Sequence, residues 1–340
     1  MIILTLETTC DETAAAVITD QLEVLGAVVA SQDQLHARFR GVVPEIAARA
    51  HLENLLPVVD EALRRAAVTK DQLSAIAVAN TPGLAGSLLV GVVAAKALAV
   101  ALNIPLIAIN HLHAHIYACR MAVQRDIFPC VGLIVSGGHT SLYRCHNAFT
   151  FELLGGTIDD AAGEAFDKVA NLLGLGFPGG PALAQVAATG NPRAYRFPRS
   201  FIHEERRLQF SFSGLKTAVR YELAGPGRPD FTALHIPPQT LADIAASFQE
   251  AVVDCLVTKS WQALRATGLK TLCVGGGVAA NQRFREVLTA KISTATGHEL
   301  IIAPPALCTD NAVMGGIAIE QLRAGQFAPL TLDCVPGLVR

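Results

Sequence analysis

Twice along this chain a short apolar run, a small polar turn and a second apolar run follow one another before helical sequence begins. The first instance is Ile2–Leu6, the turn Glu7-Thr-Thr-Cys-Asp-Glu-Thr13, and Ala14–Ile18. The second is Cys130–Val135, the turn Ser136-Gly-Gly-His-Thr140, and Ser141–Cys145. Apolar runs of this length bounded by turn residues read as strands, and strands joined so closely return on one another. With 51% hydrophobic residues in 340, there is material for two cores of ordinary size. The pattern predicts an α/β chain that uses one domain plan twice, with the second copy starting near Pro129. No short period makes it a solenoid.

Other features narrow the class. The balance of 27 basic and 29 acidic residues gives a net charge of -2, so nothing global marks a nucleic-acid binder, although a local basic patch is compatible. Eight cysteines are scattered without a CxxC pair, the usage of free thiols in a reducing cytosol. Met1–Leu6 has no basic leader and meets Glu7 at once, unlike a signal peptide. The apolar stretch Leu88–Ile109 is broken by Lys96, Asn103 and Pro105, and is expected to be a buried helix followed by a strand, with no membrane span.

Helical spacing governs much of the rest. Ile46, Leu52, Leu55, Leu56, Val59 and Leu63 recur at three- and four-residue steps and predict one long amphipathic helix, with these residues on its apolar face. Ala75–Ala79 is a strand that meets the glycine-containing turn Asn80–Ser87. A helix is expected from Thr157 to Leu173, with Asp160, Glu164 and Asp167 on one face beside the rigid turn Gly174–Pro181. A long helix covers about 239–267, and Gly225–Pro238 is expected to be a loop.

Several groups of residues carry chemistry. Asn110 is a natural N-cap after the apolar run Ile104–Ile109, and in the helix that follows His111 and His115 fall one turn apart, so both can meet one metal ion. Asp310 stands where a cap for a helix through Ala324 would, and equally offers the carboxylate that the two histidines lack. Asp11 and Glu12 in the first turn can hold a cation or accept a proton. Ser136-Gly-Gly138, and Gly275-Gly-Gly277 ahead of Asn281, are turns whose backbone can approach a phosphate or ribose, with Asn281 expected in the first turn of the next helix. The one basic cluster, Arg193 to Arg220, interleaves with Phe197, Phe201, Phe210 and Phe212, a nucleic-acid edge or simply core.

Taken in order, Glu7–Thr13, Gly41-Val-Val-Pro-Glu45, Pro82-Gly-Leu84, His111/His115, Ser136–Thr140, Asp159-Asp160, Phe166-Asp-Lys168, Phe210–Lys216, Gly275–Gly277 with Asn281, and Thr309-Asp-Asn311 resemble the tRNA threonylcarbamoyladenosine transferase family of the bacterial TsaD type, formerly labelled O-sialoglycoprotein endopeptidase. The likeness runs from about residue 2 to 325. It implies an actin-like (sugar kinase/Hsp70) α/β fold of two lobes with mixed sheets, 1–128 and 129–340, a C-terminal helix able to return to the first lobe, and a nucleotide cleft between lobes. It also implies transfer of a threonylcarbamoyl group from threonylcarbamoyl-AMP to the exocyclic amine of the adenosine 3′ of the anticodon, in tRNAs that read codons starting with A. By motif, His111, His115 and Asp310 would hold one divalent metal, iron or zinc. Ile134, Val135, Ser136, Gly137, Gly138, Asp167, Gly180 and Asn281 would hold the adenylate, with Asp11 and Glu12 as catalytic carboxylates. A paralogous TsaB-type subunit and a TsaE-type ATPase are the implied partners, and the cytoplasm the implied location. Thr5, Thr9, Thr81, Arg40 and His113 depart from the family pattern. A phosphotransferase on the same fold and a non-catalytic partner-binding subunit are the competing readings; the protease label fails because the histidine pair lacks the glutamate of H-E-x-x-H.

Overall fold

The computed structural model describes residues 1–225 and 236–337, so most of the expected loop 225–238 lies outside the described residues. The chain divides into two compact units, one of Met1–Asp126 with Thr309–Arg340 and one of Ile127–Cys308.

In the first unit β1 (Ile2–Glu7), β2 (Glu12–Thr19) and β3 (Val24–Ser31) form an antiparallel meander, and β4 (Ala75–Thr81) and β5 (Leu106–Asn110) add in parallel to β1, giving the order β3-β2-β1-β4-β5. Between them run α1 (Asp33–Ala37), α2 (Pro44–Ala66) and α3 (Ala85–Leu102), and α4 (His111–Val123) follows β5. Side chains of β1, β2 and β4 pack with Leu55, Val59, Leu63, Val92 and Ala95 from α2 and α3 in one core.

The second unit repeats the plan. Here β6 (Cys130–Val135), β7 (Thr140–Cys145) and β8 (Phe151–Gly156) are the meander; β9 (Thr271–Gly275) and β10 (Glu299–Ile302) add in parallel, in the order β10-β9-β6-β7-β8. Its helices are α5 (Ala162–Leu172), α6 (Gly179–Ala187), α7 (Ser213–Ala224), α8 (Pro238–Thr267), α9 (Gln282–Ser293) and the short α10 (Pro305–Cys308). Read from the meander outward, the two sheets have one topology, so the duplicated α/β plan expected from the two strand–turn–strand segments is what the chain builds.

Several local expectations change. On α2 the buried face is Ala47, Ala50, His51, Leu55, Val58, Val59, Ala62 and Leu63, while Leu52 and Leu56 are 67% and 63% exposed. Leu55, Val59 and Leu63 are buried as their spacing predicts, but the buried face also takes in Ala47, Ala50 and Ala62, small residues that leucine spacing does not weigh. Helix α3 is likewise less buried than its hydropathy suggests, with Leu89, Val93 and Val100 exposed. The helix expected from Thr157 starts only at Ala162, so Asp160 is not on its face; Asp160 and Glu164 instead grip Lys168 at 2.6 and 2.7 Å. The helix expected to run to Ala324 is a 3-10 segment, Ala312–Ile317, followed by α11 (Ala318–Arg323). Added Cβ atoms on Gly315 and Gly316 would lie 2.9 Å from Thr5 and 2.6 Å from Met121, so this segment presses against β1 and α4. Phe197, Phe210 and Phe212 are core.

Candidate metal centre and glycine turns

Helix α4 starts where the strand before it ends. The Asn110 side chain accepts hydrogen bonds from the backbone N–H of Leu112 (2.9 Å) and His113 (3.2 Å), satisfying donors that the helix leaves open. That cap fixes the register that puts His111 and His115 on one buried face, their rings edge to face with centroids 4.6 Å apart. Asp310 arrives from the far end of the chain. Its role as a cap is taken by Asn311, whose side chain accepts from Met314 N at 3.2 Å, and the Asp310 carboxylate turns to the histidines. Thr5, one of the departures from the family pattern, donates its hydroxyl to Ala312 O at 2.6 Å and ties this segment to β1.

Asp310 Oδ1 lies 3.1 Å from His115 Nε2 and 3.6 Å from His111 Nε2, and the ligand atoms of the three residues fall within 4.8 Å of one another. Both ring nitrogens of the fully buried His115 lack a hydrogen-bond partner among the described residues. The 3.1 Å approach therefore has the distance of a hydrogen bond but not its geometry. On the other side of His111, Glu7 Oε2 lies 3.1 Å from Nδ1 and Thr9 Oγ1 lies 3.3 Å from it. With Nδ1–H donating to Glu7, Nε2 is the ring nitrogen on the Asp310 side, and would be the one to bind an ion there once it gives up its proton. Burial lowers the proton affinity of His111, but Asp310 and Glu7 outweigh it and bring its pKa up to about 9. A pocket so acidic demands a positive charge, and two imidazoles with one carboxylate suit zinc or non-haem iron. The donor set fits a divalent ion.

Asp11 ends the β1–β2 turn of the same unit and Glu12 opens β2. Burial and the nearby Asp310 charge raise the pKa of both carboxyls, that of Glu12 well above its ordinary value. Glu7, Thr9 and His51 also belong to this surround. Glu7 and Thr9 lie in the turn that the sequence singles out; His51 had no signal beyond being a histidine on a helical face.

In the second unit three glycines let segments approach closely. A Cβ on Gly276 would sit 2.4 Å from Val135 O, one on Gly163 2.6 Å from Ser136 O, and one on Gly179 2.7 Å from the Asp167 backbone. Gly276 also has φ +98°, a conformation that side chains disfavour. These glycines are required by the fold. Gly137, Gly138, Gly180 and Gly277 are different: an added Cβ on any of them meets open space, and none has positive φ. Their own packing does not ask for glycine, while a ligand laid against the backbone would. Asp167 Oδ1 accepts from Gly179 N at 2.8 Å, joining α5 to the start of α6. Asn281 is the N-cap of α9 and not part of its first turn. Its Oδ1 accepts from Phe284 N at 3.0 Å and its Nδ2 donates to Gln249 at 2.8 Å, which leaves one N–H and one lone pair for a ligand. Ile134 and Val135 close β6 as fully buried residues, leading into Ser136.

The sequence matches the TsaD family, tRNA N6-adenosine threonylcarbamoyltransferase, over residues 23–317. A protein of that name from Rhodopirellula baltica is 59% identical over 350 residues, which cover 100% of this chain and 97% of the relative. Another, from Anaeromyxobacter dehalogenans, is 49% identical over 98% of each chain. Among solved structures, full-length HypF in its phosphate- and nucleotide-bound form has a TM-score of 0.61 at 15% identity, covering 96% of this chain and 47% of that one. Component A of (R)-2-hydroxyglutaryl-CoA dehydratase from Acidaminococcus fermentans has a TM-score of 0.55 at 14% identity, covering 95% and 99%. At such identities the likeness is one of fold.

Proposed function

The chain belongs to the tRNA N6-adenosine threonylcarbamoyltransferase family, and from that premise we propose that it moves a threonylcarbamoyl group from threonylcarbamoyl-AMP to the exocyclic amine of the adenosine 3′ of the anticodon, in tRNAs reading codons that begin with A. The observation that carries this reading is the convergence of the buried His111 and His115 with the half-buried Asp310, their ligand atoms all within 4.8 Å, on a chain of this family. These three residues hold one divalent ion, iron or zinc. When bound, that ion would supply Lewis-acid chemistry to the transfer.

The remaining work falls to the chain itself. The adenylate lies along Ile134–Gly138, against Gly180 and Asn281, with Asp167 accepting from a ribose hydroxyl. The donor is a mixed anhydride, so the adenosine amine attacks its carbonyl directly, the carbonyl–oxygen bond to the phosphate breaks, and AMP leaves. The amine is a weak nucleophile, and positioning contributes more than deprotonation. Asp11 and Glu12, whose raised proton affinity comes from burial and from Asp310, take up the proton that the amine releases.

The first unit also offers a surface for a partner. Leu52 and Leu56 on α2, with Leu89, Val93 and Val100 on α3, leave an exposed apolar stripe on each of two helices that pack side by side in the first unit. A TsaB-type paralogue covers them, and a TsaE-type ATPase completes the assembly. Ala85–Leu102 has the length and hydropathy of a membrane span, but it packs on β4 and α2 within the α/β unit, so we place the protein in the cytoplasm and off the membrane. Arg193, Arg196 and Arg206 are exposed and form the tRNA contact. Arg199 is engaged elsewhere, with Asp254 at 2.9 Å.

The test is metal content together with transfer. His111→Ala and His115→Ala should lose bound iron or zinc by elemental analysis and lose tRNA modification in the presence of the partner proteins, with melting still cooperative. Stoichiometric metal in the double variant would refute the proposed centre.

A further inference from the structure

The turn that carries Asp11 and Glu12 is held by its main chain. Three successive carbonyls are each gripped by a different part of the first unit: Thr9 O accepts from Leu84 N at 2.8 Å, Cys10 O from His51 Nε2 at 3.0 Å and from Ser87 Oγ at 3.3 Å, and Asp11 O from Gln32 N at 3.1 Å. Among the described residues only the middle carbonyl is held by side chains, and both are fully buried. His51 reaches it from α2, and Ser87 from α3.

The protonation of His51 is settled from both ends of a hydrogen-bonded chain. Val43 N–H donates to His36 Nδ1 at 3.3 Å, so the His36 proton is on Nε2, which donates to Gln32 Oε1 at 3.2 Å. The Gln32 amide nitrogen then faces His51 Nδ1 at 3.4 Å, and the Thr13 hydroxyl donates to the same nitrogen at 2.8 Å. With Nδ1 accepting, His51 Nε2 carries the proton and donates to a carbonyl that can only accept. Every member has its partner with both imidazoles neutral, so the network has one arrangement. The other buried positions on this face of α2 are apolar, Ala47, Ala50, Leu55 and Val58. The imidazole stands out as the one that reaches into the turn.

We propose that His51, assisted by Ser87, is a positioning residue for the transfer reaction: by holding the Cys10 carbonyl from two helices, the pair sets where Asp11 and Glu12 meet the acceptor amine. This rests on the role given to the two carboxylates under the proposed function.

The experiment is steady-state transfer by the full chain with its partner proteins, threonylcarbamoyl-AMP and unmodified tRNA. His51→Leu removes the donor, while His51→Gln places an amide N–H near the imidazole Nε2 position. His51→Leu should lower kcat by about tenfold to a hundredfold, the scale of a misplaced catalytic group. Its KM for the donor should stay within about twofold of wild type, with metal content unchanged. His51→Gln should return kcat to within about threefold of wild type. Wild-type kcat in His51→Leu, or a glutamine variant as impaired as the leucine one, would overturn the proposal. So would a joint loss of kcat, donor affinity and metal, the signature of a merely structural residue. Should His51→Leu fail to fold, Ser87→Ala carries the test, with kcat expected to fall by about threefold at constant KM and an unchanged kcat counting against it. A wild-type chain that transfers nothing under these conditions would refute the proposed function itself, a result distinct from any of these.

Discussion

Replacing Lys259 by Met probes how the segment that carries the basic residues is held. Lys259 sits within α8 with no exposed surface, and its ammonium donates to Phe201 O (2.6 Å), Glu204 O (3.0 Å) and Arg207 O (2.6 Å), with Gln262 Oε1 at 2.9 Å. Burial lowers the proton affinity of the amine, yet its three N–H groups meet three main-chain carbonyls at part-buried positions, with the amide oxygen sharing the charge. Methionine keeps the stem and removes the donors. Each orphaned carbonyl costs about 1 kcal/mol, and breaking a buried charged cluster costs about 3–5 kcal/mol, less the desolvation that the ammonium no longer suffers. We expect a loss of roughly 3 kcal/mol. In a unit of this size that lowers Tm by roughly 6–12 °C. Calorimetry measures the shift, and timed trypsin digestion should show faster cleavage after Arg206 and Arg207, because the turn they follow has lost its anchor. A Tm within about 2 °C of wild type, with unchanged cleavage, would show that the carbonyls find other partners and that the lysine is not what orders this segment.

Asp167→Asn should weaken adenylate binding about tenfold by titration calorimetry, since an amide accepts from hydroxyls less strongly than a carboxylate; unchanged affinity would remove Asp167 from the ribose site. Arg196→Glu combined with Arg206→Glu should make the log–log salt dependence of tRNA filter binding shallower by roughly 2, leaving adenylate affinity alone, and an unaltered slope would move the tRNA contact elsewhere. The folded pKa of His51 is lowered, chiefly by burial. The stability this residue contributes is therefore present above its unfolded pKa, near 6.5, and is lost as pH falls from there through the folded value. Urea melts of wild type and His51→Gln should converge as pH falls below about 6.5; a constant difference down to about pH 5 would refute this.

Local pattern carried the element types. Apolar runs around polar turns determined the first hairpin of each sheet, because such a run and the turn that follows it involve only neighbours in sequence, while β3 and β8, which complete the meanders, were not read from it. The His111/His115 pair and its Asn110 cap were legible for the same reason, lying within two turns of one helix. What the chain alone left open was the non-local partner. Asp310 was compatible with a cap or with a place beside the histidines; the fold decided, by giving the cap to Asn311 and pressing the segment against Thr5 and Met121. Leucine spacing put Leu52 and Leu56 inside, but the sheet sits against the face of α2 that carries Ala47, Leu55, Val59 and Ala62, and those two leucines face out. Nothing in the sequence marked Lys259 or His51 as buried, because a polar side chain is buried only where tertiary structure brings acceptors and donors to it. Sequence determined which elements form; packing among distant segments decided which face each one turns inward, and with it the surroundings of every functional side chain.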